Sequence, residues 1–286
     1  MFRAFIVYCF LLTILLSMLL AIDVGATKTL FAVFSADGQK KTEHKIATDH
    51  NYEDFKASIK KALNEDLATY QFSHCCCAVP GKVDRENGVG IVFGNLPWQN
   101  VPIADDFAQI LGQVRIFVEN DAKMAGLYEA KSLPEFNRLL YIAPGTGVGI
   151  AFIVDGANDL SIDDLGGRTF LLDWRAKKIA WDEISSGRAL TSKYGQKAAE
   201  ITKPQIWQDY VHGLAFGINR LIESKKPEVV VIGGGVGAHF EKFQPYLEKE
   251  LKKIGSSQVT MPKILKARRP EEAVIYGCYE YIKVNS

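Results

Sequence analysis

Ala21-Ile22-Asp23-Val24-Gly25-Ala26-Thr27-Lys28-Thr29-Leu30-Phe31-Ala32-Val33-Phe34 reads as an apolar strand ending near Asp23, a tight turn containing Gly25, and a second apolar strand that Asp37-Gly38 closes with a turn signal. At about five residues the first strand takes in 18–22. The same residues end an apolar run over 4–22, 19 residues whose only polar members are Thr13 and Ser17. Taken alone, such a run reads as a membrane-spanning helix or the core of a signal peptide, although only Arg3 supplies positive charge in front of it. A spanning helix of about 20 residues would consume the strand, and a signal-peptidase cut would truncate it. Neither reading coexists with the hairpin, so 18–22 is expected as a buried strand. Translation beginning at Met18 would remove the conflict and make 1–17 a non-native or unstructured apolar extension. An intact mass that includes 1–17, taken on protein made from its native transcript, would overturn that expectation.

The chain has 286 residues, 48% hydrophobic and 23% charged, with 24 Gly and 10 Pro. Those values exclude a disordered or collagen-like chain, and the length favours about two domains. Lys plus Arg number 34 against 33 for Asp plus Glu, a net +1 that gives no electrostatic reason to expect a nucleic-acid partner. The cysteines, Cys9, Cys75, Cys76, Cys77 and Cys278, form no CxxC pair, metal-ligand spacing or disulfide framework, and the run of three reads as core packing. That usage fits a reducing, cytoplasmic location. His44, His50, His74, His212 and His239 form no ligand-spaced pair.

Beyond the opening hairpin and a polar strand over 40–47, Phe55, Ile59, Leu63 and Leu67 recur every four residues and predict an amphipathic helix over 52–70. A buried strand at 75–79 ends at Pro80-Gly81, and a strand at 89–93 leads into Asn95-Leu96-Pro97-Trp98. A helix over 103–112 and a strand at 114–118 follow, and Glu119-Asn120-Asp121 opens a helix through 130 with a suitable N-terminal residue in Asn120 or Asp121. The layout of the first hairpin then recurs: a strand at 139–142, the loop Ala143-Pro144-Gly145-Thr146-Gly147-Val148-Gly149, and a return strand at 150–154 closed by Asp155-Gly156. Gly25 and Gly145 lie 145 − 25 = 120 residues apart, an echo that suggests two related lobes. Helices over 176–195 and 205–225, a strand at 229–232 running into Gly233-Gly234-Gly235-Val236-Gly237, a helix over 240–253, a strand near 263–265 and a closing helix over 270–282 complete an alternating α/β chain.

Three glycine-rich turns directly after apolar strands carry the chemistry. Small residues let backbone amides approach a polyanion, threonine hydroxyls add donors and Lys28 adds charge. Any one of them reads equally well as an ordinary tight turn; three together favour nucleotide binding. Gly233-Gly234-Gly235-Val236-Gly237 is no dinucleotide fingerprint, lacking the GxGxxG spacing and the acidic residue about 20 positions on. Asp121, at a strand-to-helix junction, is placed to accept a hydrogen bond from a substrate hydroxyl and take its proton. Its plain alternative is an acidic residue favoured at a helix N-terminus. Beside phosphate turns, the carboxylate reads as part of phosphoryl transfer to an alcohol.

These segments, with Pro80-Gly81-x-Val83-Asp84, Asn95-Leu96-Pro97-Trp98, Glu119-Asn120-Asp121-Ala122 and Ser186-Gly187-x-Ala189-Leu190, resemble in content and order the motifs of the ROK family of sugar kinases, relatives of hexokinases, actin and the Hsp70 ATPase. The resemblance implies a two-lobed, ribonuclease-H-like (actin-like ATPase) α/β fold with a cleft between lobes. The small lobe would hold 18–118 plus 270–286 and the large lobe 119–269. It further implies ATP-dependent phosphorylation of a hydroxyl of a hexose or hexose derivative, with Mg²⁺. Asp121 would be the catalytic base; Gly81, Asn95, Asn120, Asp164 and Asp182 would bind the sugar. Gly25, Thr27, Lys28 and Thr29 would line the phosphates with Gly145, Thr146 and Gly147; Gly233, Gly234 and Gly235 would face the adenosine; and Asp23 would act on Mg²⁺ through water.

Two departures stand out. Where many members carry Glu-x-Gly-His, this chain has Asp164-Leu165-Gly166-Gly167, and no cysteine lies between Cys77 and Cys278, so the family's zinc site is not expected. Asp182 falls where the Glu ending the family's cysteine segment stands. The implied partner is a small-molecule sugar, with no nucleic acid and no membrane unless 1–17 is made and retained; the oligomeric state, a homodimer included, stays open. The alternative function is a sugar- or nucleotide-binding sensor with weakened turnover.

Overall fold

One strand arrangement is built twice. The structure, a computed structural model, describes residues 18–286, and the expectations placed on 1–17 lie outside it. The chain divides into two units: one takes in the described chain up to Met124 and again Val274–Ser286, the other Ala125–Ala273.

The first unit contains β1 (Met18–Val24), β2 (Lys28–Phe34), β3 (Lys40–Ala47), α1 (Tyr52–Lys61), β4 (Phe72–Val79), β5 (Gly81–Asp84), β6 (Val89–Phe93), β7 (Gln99–Val101), α2 (Ile103–Leu111), β8 (Arg115–Asn120) and the start of α3 (Asp121–Ser132). Its main sheet has the order β3-β2-β1-β4-β8. The hairpin at 18–34 forms as read, with Val24 opposite Thr29. β1 then pairs parallel with β4, and β4 with β8, in a register that aligns Asp23 with Ala78 and Ala78 with Glu119. The carboxyl ends of three parallel strands therefore carry Asp23, Val79 and Asn120 to one edge, where open α/β sheets bind ligands.

The second unit contains the rest of α3, β9 (Arg138–Pro144), β10 (Val148–Val154), β11 (Ala157–Asn158), β12 (Leu171–Trp174), β13 (Lys177–Ala180), α4 (Gly187–Tyr194), α5 (Pro204–Lys225), β14 (Val229–Ile232), α6 (Gln244–Ile254) and β15 (Lys263–Lys266), and it ends at the first residue of α7 (Ala273–Asn285). Its sheet, β11-β10-β9-β14-β15, repeats the first: an antiparallel hairpin followed by two parallel strands. The 120-residue echo between Gly25 and Gly145 is this repeated topology.

Strand alternation sets the cores. In the first unit Leu20, Ile22, Phe31, Val33, Cys75 and Cys77 meet Phe55, Ile59, Phe107 and Trp98 in one buried cluster. Cys76, one residue out of phase, turns to the other face and bonds Cys278 of α7. Cys75, Cys76, Cys77 and Cys278 are buried free thiols that pack as apolar groups. In the second unit α5 lays Trp207, Leu214 and Ile218 against Leu140, Ile150, Phe152 and Val230.

Helix α7 can lie against α3 only because of Gly277, where a β-carbon would fall 1.8 Å from the Met124 carbonyl oxygen. Gly277→Ala is expected to lower stability by about 1–3 kcal/mol or more, since neither backbone yields readily to a new methyl group; a denaturant midpoint measures it.

Several boundaries differ from the sequence reading. The helix expected over 176–195 is instead the hairpin β12–β13, a single turn Asp182–Ser185, and α4. Arg175 and Ala176 take positive φ values of 50° and 63° at the hairpin turn, a conformation that neither residue advertises. The helix expected over 52–70 ends at Lys61 and passes into the wider turn Ala62–Asp66, closed by the Leu67 amide on the Ala62 carbonyl. The helix expected from 240 is a short turn, Phe240–Lys242, before α6, which carries Pro245 in its first turn, where its missing N–H costs nothing. The contact division falls inside α3, so Asp121 belongs with the sheet of the first unit. Among the described residues no helix is long and apolar enough to cross a membrane.

Candidate active site

In the first unit, the Gly25 amide donates to the Lys28 carbonyl at 3.0 Å. A β-carbon at Gly25 would sit 2.8 Å from that oxygen, so the turn requires glycine. Thr27 and Lys28 are exposed on it, and the Thr27 carbonyl accepts the Thr48 amide at 3.2 Å. Thr29 departs from the expected phosphate set. It is fully buried, and its hydroxyl bonds that of Thr48 at 2.8 Å. Strand alternation sends Lys28 outward and Thr29 inward, so Thr29 ties the turn to the sheet instead of facing solvent.

Asp23, at the end of β1, is pushed up to about 7 by burial, with the neighbouring Asp121 carboxylate adding to the rise and Lys28 opposing it. Asp121 is half-buried at the first position of α3, and its Oδ1 accepts the Ala122 amide at 2.7 Å. Asn120 is 1% exposed and serves as the helix cap: its Oδ1 accepts the Lys123 amide at 3.1 Å and its Nδ2 donates to the Gly81 carbonyl at 3.1 Å. Gly81 in turn packs so closely on β6 that a β-carbon would lie 2.1 Å from the Val92 carbonyl oxygen.

Sequence reasoning missed the support beneath this junction. Buried Glu119 accepts Arg85 Nε on both carboxylate oxygens, at 2.9 and 3.1 Å, and the Asn120 amide at 3.3 Å. Its signal was a charge at the inner end of an apolar strand, which needs a partner. Asn95 is half-buried in the β6–β7 loop. That loop is anchored by Trp98, which donates to the His50 carbonyl at 2.8 Å and packs on Tyr52, Phe55 and Phe93.

The Asp23–Asp121 pair fits a divalent cation: the Asp121 charge raises the Asp23 carboxyl, and a positive ion would relieve that repulsion. Among the described residues no three His, Cys, Asp or Glu side chains form a metal cluster. Mg²⁺ keeps several waters and takes one or two carboxylates plus phosphate oxygens, and Asp23 and Asp121 are the residues that would hold it.

In the second unit, glycines let three segments converge. The Gly145 amide donates to the Gly147 carbonyl at 2.7 Å, and the Gly145 carbonyl accepts the Gly187 amide at 2.6 Å. A β-carbon on Gly187 would meet that carbonyl at 2.9 Å and Val236 Cγ2 at 3.2 Å. Gly234, at φ +69°, would meet the Pro144 carbonyl oxygen at 2.9 Å, and Gly233 would meet Tyr141 Oη at 2.2 Å. Thr146 and Gly235 are exposed, and nothing lies within 4 Å of a β-carbon built on Gly145 or Gly235. The turns at 145–147 and 233–235 and the Ser186-Gly187 start of α4 thus share one open patch.

Asp182 also reaches this patch: its Oδ1 accepts the Val148 amide at 2.7 Å. Burial pushes its carboxyl above the usual range, against the pull of the Val148 N–H and the positive charges of Arg188 and Arg168. Gly167 is buried beside it, with a β-carbon there falling 2.4 Å from Asp182 Oδ1. Asp164 is half-buried in the preceding loop.

Comparison with known proteins matches residues 19–159 to the ROK family. The glucokinase of Thermotoga maritima is 25% identical, across 93% of this chain and 97% of its own. The N-acetyl-D-glucosamine kinase of Vibrio parahaemolyticus is 26% identical, across 89% and 96%. Among solved structures, the ROK family glucokinase from Streptomyces griseus, in complex with glucose and AMPPNP, aligns with a TM-score of 0.79 at 19% identity over 93% of this chain and 99% of that one. The ROK hexokinase from Thermus thermophilus aligns at 0.71 and 22% identity, over 94% and 99%. Both structures share the α/β, actin-like ATPase fold found here twice over in its sheets. With its motifs in family order from the Asp23-Val24-Gly25 turn to Gly233-Gly234-Gly235, and with that match and that fold, the chain is similar to the ROK family, whose model it matches over 19–159.

Proposed function

We propose that the protein is a sugar kinase that transfers the γ-phosphoryl group of ATP to a hydroxyl of a hexose or hexose derivative. The observation that carries this reading is the Asp121 carboxylate at the start of α3, near enough to Asp23 at the end of β1 for its charge to raise the Asp23 carboxyl. One carboxylate serves the acceptor hydroxyl, the other the metal–phosphate end of the reaction. Asp121 accepts the hydroxyl proton as the bond to phosphorus forms and the γ-phosphoryl leaves the β-phosphate.

Asp23 would hold Mg²⁺ through water; when bound, the ion neutralises charge on the β- and γ-phosphate oxygens. Gly25, Thr27 and Lys28 offer amides, a hydroxyl and a cation to phosphate oxygens; Gly145, Thr146 and Gly147 offer the second set, and Gly233, Gly234 and Gly235 the face for adenosine. Asn95 and Asp164 are assigned to sugar hydroxyls. Asn120 and Gly81 serve the same site by fixing the start of α3. The names of the relatives, glucokinase and N-acetyl-D-glucosamine kinase, favour a hexose or a 2-acetamido hexose as substrate. Nothing in the site favours the sensor reading, since the carboxylate pair and all three glycine turns are in place.

A coupled ADP-release assay over glucose, N-acetyl-D-glucosamine and other hexoses tests this. Turnover should require a sugar. ATP hydrolysis that no sugar stimulates would overturn the reading.

A further inference from the structure

We infer that Asp182 is a positioning residue that fixes the 145–147 turn against the nucleotide phosphates, and not a ligand of the sugar. This rests on the reading of that turn as a phosphate loop.

The segment from Trp181 to Gly187 grips the turn at both ends. At the far end, the Val148 N–H donates to Asp182 Oδ1 at 2.7 Å, a charge-assisted bond. At the near end, the Gly187 N–H donates to the Gly145 carbonyl at 2.6 Å. Thr146 is left exposed at the tip. The second carboxylate oxygen also faces the turn: a β-carbon at Gly147 would fall 2.8 Å from Asp182 Oδ2. Both oxygens are thus directed at the glycine loop.

The grip is rigid because its base is buried. Trp181 is fully buried, its Nε1 donates to the Gly213 carbonyl at 3.1 Å, and its indole lies so close to α5 that a β-carbon at Gly217 would be 2.1 Å from Cε2. Tyr210 Oη donates to the Ser185 carbonyl at 2.7 Å, and Ser186 Oγ caps α4 on the Ala189 amide at 3.0 Å. A carboxylate held this way transmits its position to the Val148 amide with little play.

Gly167 is the other half of the arrangement. Its β-carbon would stand 2.4 Å from Asp182 Oδ1 and 2.8 Å from Val148 Cβ, so any side chain there displaces the carboxylate or the strand. Glycine at 167 thus leaves open the space in which Asp182 reaches Val148.

The test measures KM for ATP and for the sugar, and AMPPNP affinity by calorimetry, in full-length wild type, Asp182→Ala, Asp182→Asn, Gly167→Ala and the Gly167→Ala/Asp182→Ala double variant. Asp182→Ala should raise KM for ATP by about tenfold, the size expected for one charge-assisted hydrogen bond, with KM for the sugar nearly unchanged. Asp182→Asn keeps an Oδ1 acceptor for the Val148 N–H and should recover most of the loss. Gly167→Ala should reproduce the defect alone and add nothing in the double variant. If Asp182→Ala does not fold, the contrast between Asp182→Asn and Gly167→Ala carries the test. A rise in sugar KM with ATP affinity intact overturns the inference, as does ATP affinity unchanged in every variant. Wild type that binds no AMPPNP overturns the phosphate-loop reading and this inference with it.

Discussion

Asp121→Ala is expected to cut sugar-dependent kcat by about 10²–10⁴-fold, the range that a positioned general base contributes, while AMPPNP affinity holds. Asp121 comes off β8 at the first position of α3, and its carboxylate is oriented locally by the Ala122 amide at 2.7 Å. Its backbone is held more firmly still, because Asn120 caps the helix and bonds Gly81 while Glu119 beneath is clamped by Arg85. A base fixed by its own chain needs no large movement to meet a hydroxyl. Asp121→Asn keeps the shape and the acceptor for Ala122 but cannot take a proton, so it should lose as much rate as alanine. Neither variant should lower the thermal midpoint, because each removes a negative charge from beside Asp23. Sugar-stimulated turnover within a few-fold of wild type in both variants would sink the assignment.

The parts of this site that were legible in the sequence are those written in local chemistry. The turn at 25–28 is announced by small residues between apolar strands, and the cap at Asn120 by a polar residue between a strand and a helix. The repeat of that layout around Gly145 anticipated the second sheet. What stayed hidden depends on contacts across the fold. Thr29 looks like a phosphate ligand because it follows Gly25, Thr27 and Lys28, yet alternation buries it against Thr48, 19 residues away. Asp182 looks like a sugar ligand by its place in the motif order, yet it bonds Val148, 34 residues away. Arg85 carried no signal, since it lies in the turn after β5 and its partner Glu119 is 34 residues away. The β12–β13 hairpin was invisible because Arg175 and Ala176 supply its positive-φ turn where Asn-Gly or Asp-Gly would have marked one.

Asp23→Asn should make the ligand-free protein more stable and the enzyme inactive. In the fold the Asp23 carboxyl is raised from 3.8 to about 7, by burial first and by the Asp121 charge second. A raised folded value means that the native state holds its proton more tightly than the unfolded chain does. The stabilising contribution is then complete below about pH 4 and is lost as pH rises through about 7. Above that, folding bears the cost of an ionised carboxylate beside Asp121. A shift of this size corresponds to roughly 4 kcal/mol, reduced by whatever part of the half-buried side chain water still screens. Asparagine keeps the shape and carries no charge, so the difference in unfolding free energy between variant and wild type should be larger at pH 8 than at pH 5. Taking the difference cancels Glu129 and Asp182, whose raised values give the same slope in both proteins. Denaturant melts of both proteins across pH 4–8 read it directly; parallel profiles, or a variant less stable at pH 8, would refute it. The cost is the functional point: a carboxylate that Lys28 compensates only in part in the free protein is one that a cation can stabilise. Mg²⁺ with AMPPNP should therefore raise the melting temperature of wild type more than that of Asp23→Asn, and the variant that folds best should turn over least.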